Sequence, residues 1–128
     1  MTASITALYA GILALVVIAL AINVTVYRVK LRISVGDGGN AQMLRMIRLH
    51  GNAVEYVPIT LLLMLIYELN GGSHTVLHAA GFAMLAGRIV HAWGLSLSDM
   101  PNRGRQIGQS LTWLTVIALA AMNLGKAV

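Results

Sequence analysis

Residues 4–27 read SITALYAGILALVVIALAINVTVY, and this stretch holds no charged side chain. A helix needs about 20 apolar residues to cross the roughly 30 Å hydrocarbon core of a bilayer. The stretch is long enough, and it lacks the basic residues that precede the apolar part of a signal peptide. The sequence therefore predicts a retained transmembrane helix, from which the rest of the chain can be interpreted.

The composition agrees with a membrane location. The chain has 128 residues, of which 58% are hydrophobic and 10% are charged, whereas soluble domains carry about 25% charged residues. Cysteine is absent, which excludes disulfides, thiolate metal sites and a cysteine nucleophile. Aromatic residues make up only 5% of the chain, which argues against a base-stacking surface for nucleic acid. We expect one integral membrane domain over residues 1–128, with lipids rather than nucleic acid as its surroundings.

Three further apolar segments follow, at about residues 41–69, 75–97 and 106–125. The second opens with polar residues and contains Pro58, which membrane helices tolerate. Glycine-rich turn sequences separate the segments, such as GDGGN at residues 36–40. The predicted fold is an all-α, integral membrane four-helix bundle.

The basic residues predict the orientation of this bundle. Seven of the nine lie in the first loop, at the start of segment two or in the third loop, and the second loop has none. Loops rich in Lys and Arg stay in the cytosol. We therefore expect loops one and three in the cytosol and both termini on the opposite side of the membrane.

A polar stripe runs along the start of segment two. At 100° per residue, Arg45, Arg48, Asn52 and Glu55 fall within an arc of about 80°, so they share one helix face. Ionisable groups in membrane helices are costly and face a helix or a wet cavity. Two interpretations stay open: an ion-pair network that holds the bundle together, or a site for a small anionic or zwitterionic ligand.

Other helices carry matching groups at the same membrane depth. Arg88 and His91 share one face of segment three, where Arg88 could pair with Glu55. The four histidines do not offer a spacing typical of a metal site, so no metal is expected. Several arginines repel one another unless anions balance them, which predicts an anionic ligand in one pocket at the cytosolic leaflet. The predicted pocket residues are Arg28, Arg48, Asn52, Glu55, Arg88, His91 and either Arg103 or Arg105.

Three motifs place special residues at fixed spacing in this apolar chain. They are Arg48-x-His50-x-Asn52-x-x-Glu55-Tyr56-x-Pro58, Gly87-Arg88-Ile89-Val90-His91 and Arg105-x-x-Gly108. Through them the chain resembles the MAPEG family, the membrane-associated proteins in eicosanoid and glutathione metabolism. The short loops and the GDGG turn resemble its bacterial branch. This resemblance implies a location in the bacterial inner membrane, with both termini in the periplasm.

This resemblance implies a homotrimer that binds glutathione between subunits near the cytosolic leaflet. It implies that Arg105 or Arg103 stabilises the glutathione thiolate, with Arg105 favoured. Leu95 stands where several eicosanoid-making members have a tyrosine, which leaves the arginine as the main thiol activator. The residues expected to hold glutathione are Arg28 (or Lys30), Arg48, Asn52, Glu55, Tyr56, Arg88 and His91.

The expected function is a membrane glutathione transferase with peroxidase activity. Cations lower the pKa of a thiol from about 8.5, so the arginines would favour a thiolate that attacks lipophilic electrophiles or lipid hydroperoxides. One alternative is a non-catalytic scaffold that binds lipid or glutathione. Another is a small multidrug transporter, for which Glu55 would have to be the proton-exchanging carboxylate.

Overall fold

The computed structural model describes residues 2–97 and 102–127. Over these ranges the chain forms four α-helices and no strand, and each helix is long and apolar enough to cross a membrane. The expected all-α membrane bundle is thereby confirmed. Residues 98–101 of the predicted third loop lie outside the described part. The helices are α1 (Ser4–Leu31), α2 (Ala41–Leu69), α3 (His74–Leu97) and α4 (Arg103–Ala127).

Four helix ends differ from the predicted bounds, and the two largest differences are at the end of α1 and the start of α4. α1 continues to Leu31 instead of residue 27. The next residue, Arg32, caps the helix in the left-handed conformation, with a φ of 56°. α4 begins at Arg103 instead of residue 106, because the Asn102 side chain accepts a hydrogen bond of 3.0 Å from the Arg105 N–H and caps the helix. Apolar composition indicates where a helix lies in hydrocarbon, whereas the backbone continues as a helix into the polar layer.

Packing within the bundle is closest between α3 and α4, and α2 contacts both of them. Glycines at the contact make this close approach possible, because they carry no side chain. A Cβ atom on Gly108 would collide with the His91 backbone, and one on Gly94 would lie 2.7 Å from the Gly104 carbonyl carbon. Small residues allow such close approach of membrane helices. The consequence is that the start of α4 lies directly against the end of α3.

The two ends of the bundle are chemically different. The basic end, as we call it, comprises the ends of α1 and α3 and the starts of α2 and α4. At the opposite end, Glu68 of α2 accepts hydrogen bonds from the Ile5 N–H (2.9 Å) and the Thr6 N–H (2.7 Å) at the start of α1. There the Lys126 ammonium of α4 also donates to the Asn70 carbonyl at 3.1 Å. These contacts tie α1 and α4 to the end of α2, away from the arginines.

Candidate functional site

A polar cavity of about 480 Å³ lies between α2, α3 and α4 in the half of the bundle nearer the basic end. It brings together six of the nine predicted site residues. We call it the α2–α4 cavity. Its lining residues are Arg48, Asn52, Glu55, Tyr56, His91, Arg105, Gln106, Gln109, Ser110 and Trp113.

One wall comes from the polar stripe of α2. Arg48 and Glu55 lie about two helical turns apart, and the Arg48 Nη1 atom is 3.6 Å from the Glu55 Oε1 atom. Both side chains are about half exposed, at 54% and 51%, and exposed ion pairs contribute only about 0.2–1 kcal/mol. The expected pairing of Glu55 with Arg88 is wrong, since Glu55 instead faces the arginine on its own helix.

Arg88 lies behind the cavity instead of lining it. Its side chain is 2% exposed, and it donates hydrogen bonds to the side-chain oxygens of Asn52 and Thr112. It also reaches the Gly108 carbonyl at 3.4 Å and lies 5.6 Å from the centre of the Tyr56 ring. Arg88 therefore joins α2, α3 and α4, and it positions Asn52 and Tyr56 on the cavity wall.

A second contact holds the aromatic part of the wall. The Trp113 Nε1–H of α4 donates a hydrogen bond of 3.0 Å to the Tyr56 hydroxyl of α2. Trp113 is 52% exposed, so this bridge closes the cavity only in part. This hydrogen bond to the Tyr56 hydroxyl oxygen fixes the orientation of the tyrosine ring.

The opposite wall combines His91 and Arg105. His91 is 5% exposed on α3, and Arg105 lies in the first turn of α4. Asn102 fixes their relative position, because its Nδ2–H donates a 2.6 Å hydrogen bond to the Gly94 carbonyl while its Oδ1 accepts from the Arg105 N–H. The close contact of α3 and α4 thus carries Arg105 to the cavity.

Arg28 and Arg103 do not line the cavity. Within one subunit this corrects the expectation for Arg28, and of the alternatives Arg103 and Arg105 it is Arg105 that lines the cavity. Arg28 Nη1 donates to the Gly36 carbonyl at 2.9 Å and to the Ile33 carbonyl at 3.4 Å, so this side chain closes the first loop. Arg103 is exposed at the first residue of α4. The sequence predicts the depth of a basic residue, whereas its direction around the helix depends on the packing.

Four lining residues of α4 were not predicted: Gln106, Gln109, Ser110 and Trp113. A signal for them exists in the sequence. Polar residues follow Arg105 at steps of three or four along an otherwise apolar helix, the spacing of one helix face. Among the described residues, no group of three or more His, Asp or Glu side chains could hold a metal ion.

Comparison with known proteins identifies the family. The model of the MAPEG family matches residues 6–125. This chain belongs to the MAPEG family. Two curated relatives, each called inner membrane protein YecN, come from Escherichia coli K12 and E. coli O6:H1. Each is 38% identical over 120 residues, which cover 94% of this MAPEG chain and 90% of the relative.

Proposed function

We propose that this MAPEG protein is a membrane glutathione transferase that activates glutathione in the α2–α4 cavity. One observation carries the proposal. The cavity combines cations from two helices, Arg48 and Arg105, with the carboxylate of Glu55. Family membership supports it, because the MAPEG family includes glutathione transferases.

The α2 wall suits the amino-acid end of glutathione, which carries an ammonium and a carboxylate side by side. Arg48 would bind a carboxylate and Glu55 the ammonium, as charge-assisted hydrogen bonds. Their mutual distance of 3.6 Å is longer than a direct hydrogen bond. The ligand can therefore replace this weak pair at little cost, while Asn52 and Tyr56 supply neutral contacts beside it.

Arg105 would stabilise the thiolate. A guanidinium beside the sulfur lowers the pKa of the thiol, and the proton passes to water in the cavity. The thiolate sulfur then forms a bond to an electrophilic carbon while the leaving group departs as an anion. As a peroxidase, two glutathione molecules would reduce one lipid hydroperoxide to an alcohol and water, and they would leave as the disulfide.

The position of the cavity suits a polar donor and an apolar acceptor. We infer that the basic end faces the cytosol, because loops rich in Lys and Arg stay on the cytosolic side of a membrane. Both termini would then be periplasmic. The name of the YecN relatives supports the inner membrane as the location. Glutathione would enter from the water, whereas the electrophile would arrive laterally from the lipid. Proximity in one site then accelerates their reaction.

We also propose that the protein works as a homotrimer. The side chains of Arg48 and Glu55 are about half exposed. Both residues belong to α2, which is long and apolar enough to cross a membrane. Charged groups facing lipid are costly, so a neighbouring copy would cover the open side of the cavity. Arg28, which does not line the α2–α4 cavity of its own subunit, would then complete the site of the neighbour.

Calorimetric titration of the purified protein with glutathione tests the binding step. We expect saturable binding that Arg48→Ala and Glu55→Gln each weaken by about tenfold, the equivalent of about 1.4 kcal/mol. Arg32→Asn is the matched control, because it removes one exposed charge at the same end and Asn tolerates the left-handed conformation. Equal binding by all three variants would remove the proposed site.

Turnover separates the proposal from its alternatives. Conjugation of glutathione to an aryl halide in detergent, beside a cation-transport assay in liposomes, gives each function its own readout. Glutathione binding without conjugation or peroxidase activity would support a non-catalytic scaffold. Transport that depends on Glu55 would support a transporter, although its ion pair with Arg48 suits anion binding better.

A further inference from the structure

His91 is a buried titratable residue that has no role in the reaction described so far. It is 5% exposed on α3 and lines the α2–α4 cavity. Its backbone lies so close to Gly108 of α4 that a Cβ atom on this glycine would collide with it. This contact between the two helices fixes the place of His91 on the wall from which Arg105 also reaches the cavity.

The imidazole of His91 has no partner in the described part of the chain. Neither ring nitrogen forms a hydrogen bond with a described residue, whereas the His78 Nδ1 atom on the same helix lies 3.3 Å from the Tyr9 hydroxyl. Buried polar groups nearly always have a hydrogen-bond partner, and an exception can mark a functional group. Since His91 is surrounded by protein except where it lines the cavity, a partner for its ring has to come from the cavity.

Two chemical roles are open to such an imidazole beside a thiol. It can take up the thiol proton, or it can donate its N–H to the sulfur once the proton has passed to water. Arg48 and Arg105 line the same cavity, and Arg88 lies one turn before His91 on α3. Among the described lining residues Glu55 is the one acid, and it faces Arg48 at 3.6 Å. A further proton on the ring would add to these positive charges, and like charges repel. The surroundings therefore favour a hydrogen-bond donor over a proton acceptor.

The proposed orientation of glutathione brings its sulfur to this imidazole. Arg48 and Glu55 would hold the amino-acid end on the α2 wall, and Arg105 would face the sulfur from the opposite wall, which His91 shares. An imidazole carries at least one N–H in either protonation state. Hydrogen bonds to an ionised acceptor are about twice as strong as neutral ones. A donor placed here acts mainly on the charge that forms at the sulfur.

We propose that His91 is a second catalytic residue, whose imidazole N–H donates a hydrogen bond to the glutathione thiolate beside Arg105. The role of His91 rests on the proposed function. In this step the S–H bond of glutathione breaks and its proton passes to water in the cavity. The electron pair stays on the sulfur, where His91 and Arg105 stabilise it, and the N–H bond of His91 remains intact.

The ionisation of bound glutathione tests this role. The full-length protein in detergent is saturated with glutathione, and the ultraviolet absorbance of the thiolate is recorded against pH. We expect His91→Phe to raise the pH at which half of the bound thiol is ionised by about one unit, a tenfold change in the ionisation constant. His91→Gln, whose amide also carries N–H donors, should keep most of the wild-type ionisation. His74→Phe is the matched control, because it makes the same change at the start of α3, at the opposite end of the bundle.

Titration with S-methylglutathione separates contact with the sulfur from contact with the rest of the ligand. This analogue has no thiol and forms no thiolate, so wild type and His91→Phe should bind it equally. Weaker binding of the analogue by His91→Phe would show that the imidazole holds another part of glutathione and would overturn the inference. Equal losses of thiol ionisation in His91→Gln and His91→Phe would contradict a donor role.

Two further outcomes separate this inference from the proposed function. If His91→Phe does not fold against α4, His91→Met also lacks an N–H donor and takes its place in every comparison. Saturable glutathione binding with the same thiol ionisation in wild type and in the donor-free variant would reject the role of His91 alone. Absence of glutathione binding by wild type would overturn both.

Discussion

The Arg88 guanidinium of α3 donates a hydrogen bond to the side-chain oxygen of Asn52 on α2. The same group also binds Thr112 on α4, so one buried charge links three helices. Arg88 is 2% exposed, whereas Asn52 lines the α2–α4 cavity. Arg88, which a ligand in the cavity cannot contact, thus sets the position of Asn52, which faces the cavity.

We expect Arg88→Leu to destabilise the bundle. Removing the guanidinium takes a hydrogen-bond donor from the buried Thr112 hydroxyl oxygen and from Asn52. A buried group that loses its partner costs about 1–3 kcal/mol. Thermal unfolding in detergent measures the effect, with the neighbouring Ile89→Leu as control because Ile89 is 54% exposed. Similar melting temperatures for the two variants would show that Arg88 is not the link described here.

The contact of α3 with α4 can be tested with glycine substitutions. Gly108→Ala places a Cβ against the His91 backbone, and overpacking of this kind costs about 1–3 kcal/mol. Gly11→Ala is the matched control, because nothing lies within 4 Å of its Cβ and alanine favours a helix over glycine by about 1 kcal/mol. Equal stability of the two variants would contradict the close packing.

The two candidate thiol activators differ in position, so they should differ in effect. We expect Arg105→Ala to lower the ultraviolet absorbance of bound glutathione thiolate by about tenfold at neutral pH while part of the binding remains. Arg103→Ala should cause the smaller loss, since Arg103 is exposed and does not line the α2–α4 cavity. A larger loss in Arg103→Ala would reverse the assignment.

Tryptophan fluorescence offers a direct view of the cavity. The chain has two tryptophans, of which Trp113 lines the α2–α4 cavity and Trp93 is 61% exposed on α3. We expect Trp93→Phe to retain a fluorescence change on addition of glutathione and Trp113→Phe to lose it. A signal that follows Trp93 instead would place the ligand elsewhere.

Much of the α2 wall could be predicted from spacing alone. Asn52 and Glu55 lie one turn apart, and a helix places such residues on one face whatever its neighbours are. The partner of each group could not be predicted in this way. Glu55 faces Arg48 and not Arg88, because the partner on another helix depends on the rotation of that helix about its axis.

The arginines show the same division. Seven basic residues cluster at one end of the bundle in the sequence, and the structure separates them into distinct roles. Arg105 reaches the α2–α4 cavity because Gly94 lets α4 approach α3 closely. Arg28 turns to the carbonyl oxygens of its own loop. Positive charge along a chain does not encode these directions.

By itself, the sequence determined that this protein is a bundle of four membrane helices with seven of its nine basic residues at one end. Helix formation and membrane insertion depend on local composition, which each segment carries within about 20 residues. Only the tertiary structure decided which arginines share a cavity and that Arg88 lies buried behind it. Those outcomes depend on how closely separate helices approach and on how each helix is rotated about its axis. In this bundle, the glycine contacts between α3 and α4 and the buried guanidinium of Arg88 hold the helices in that arrangement.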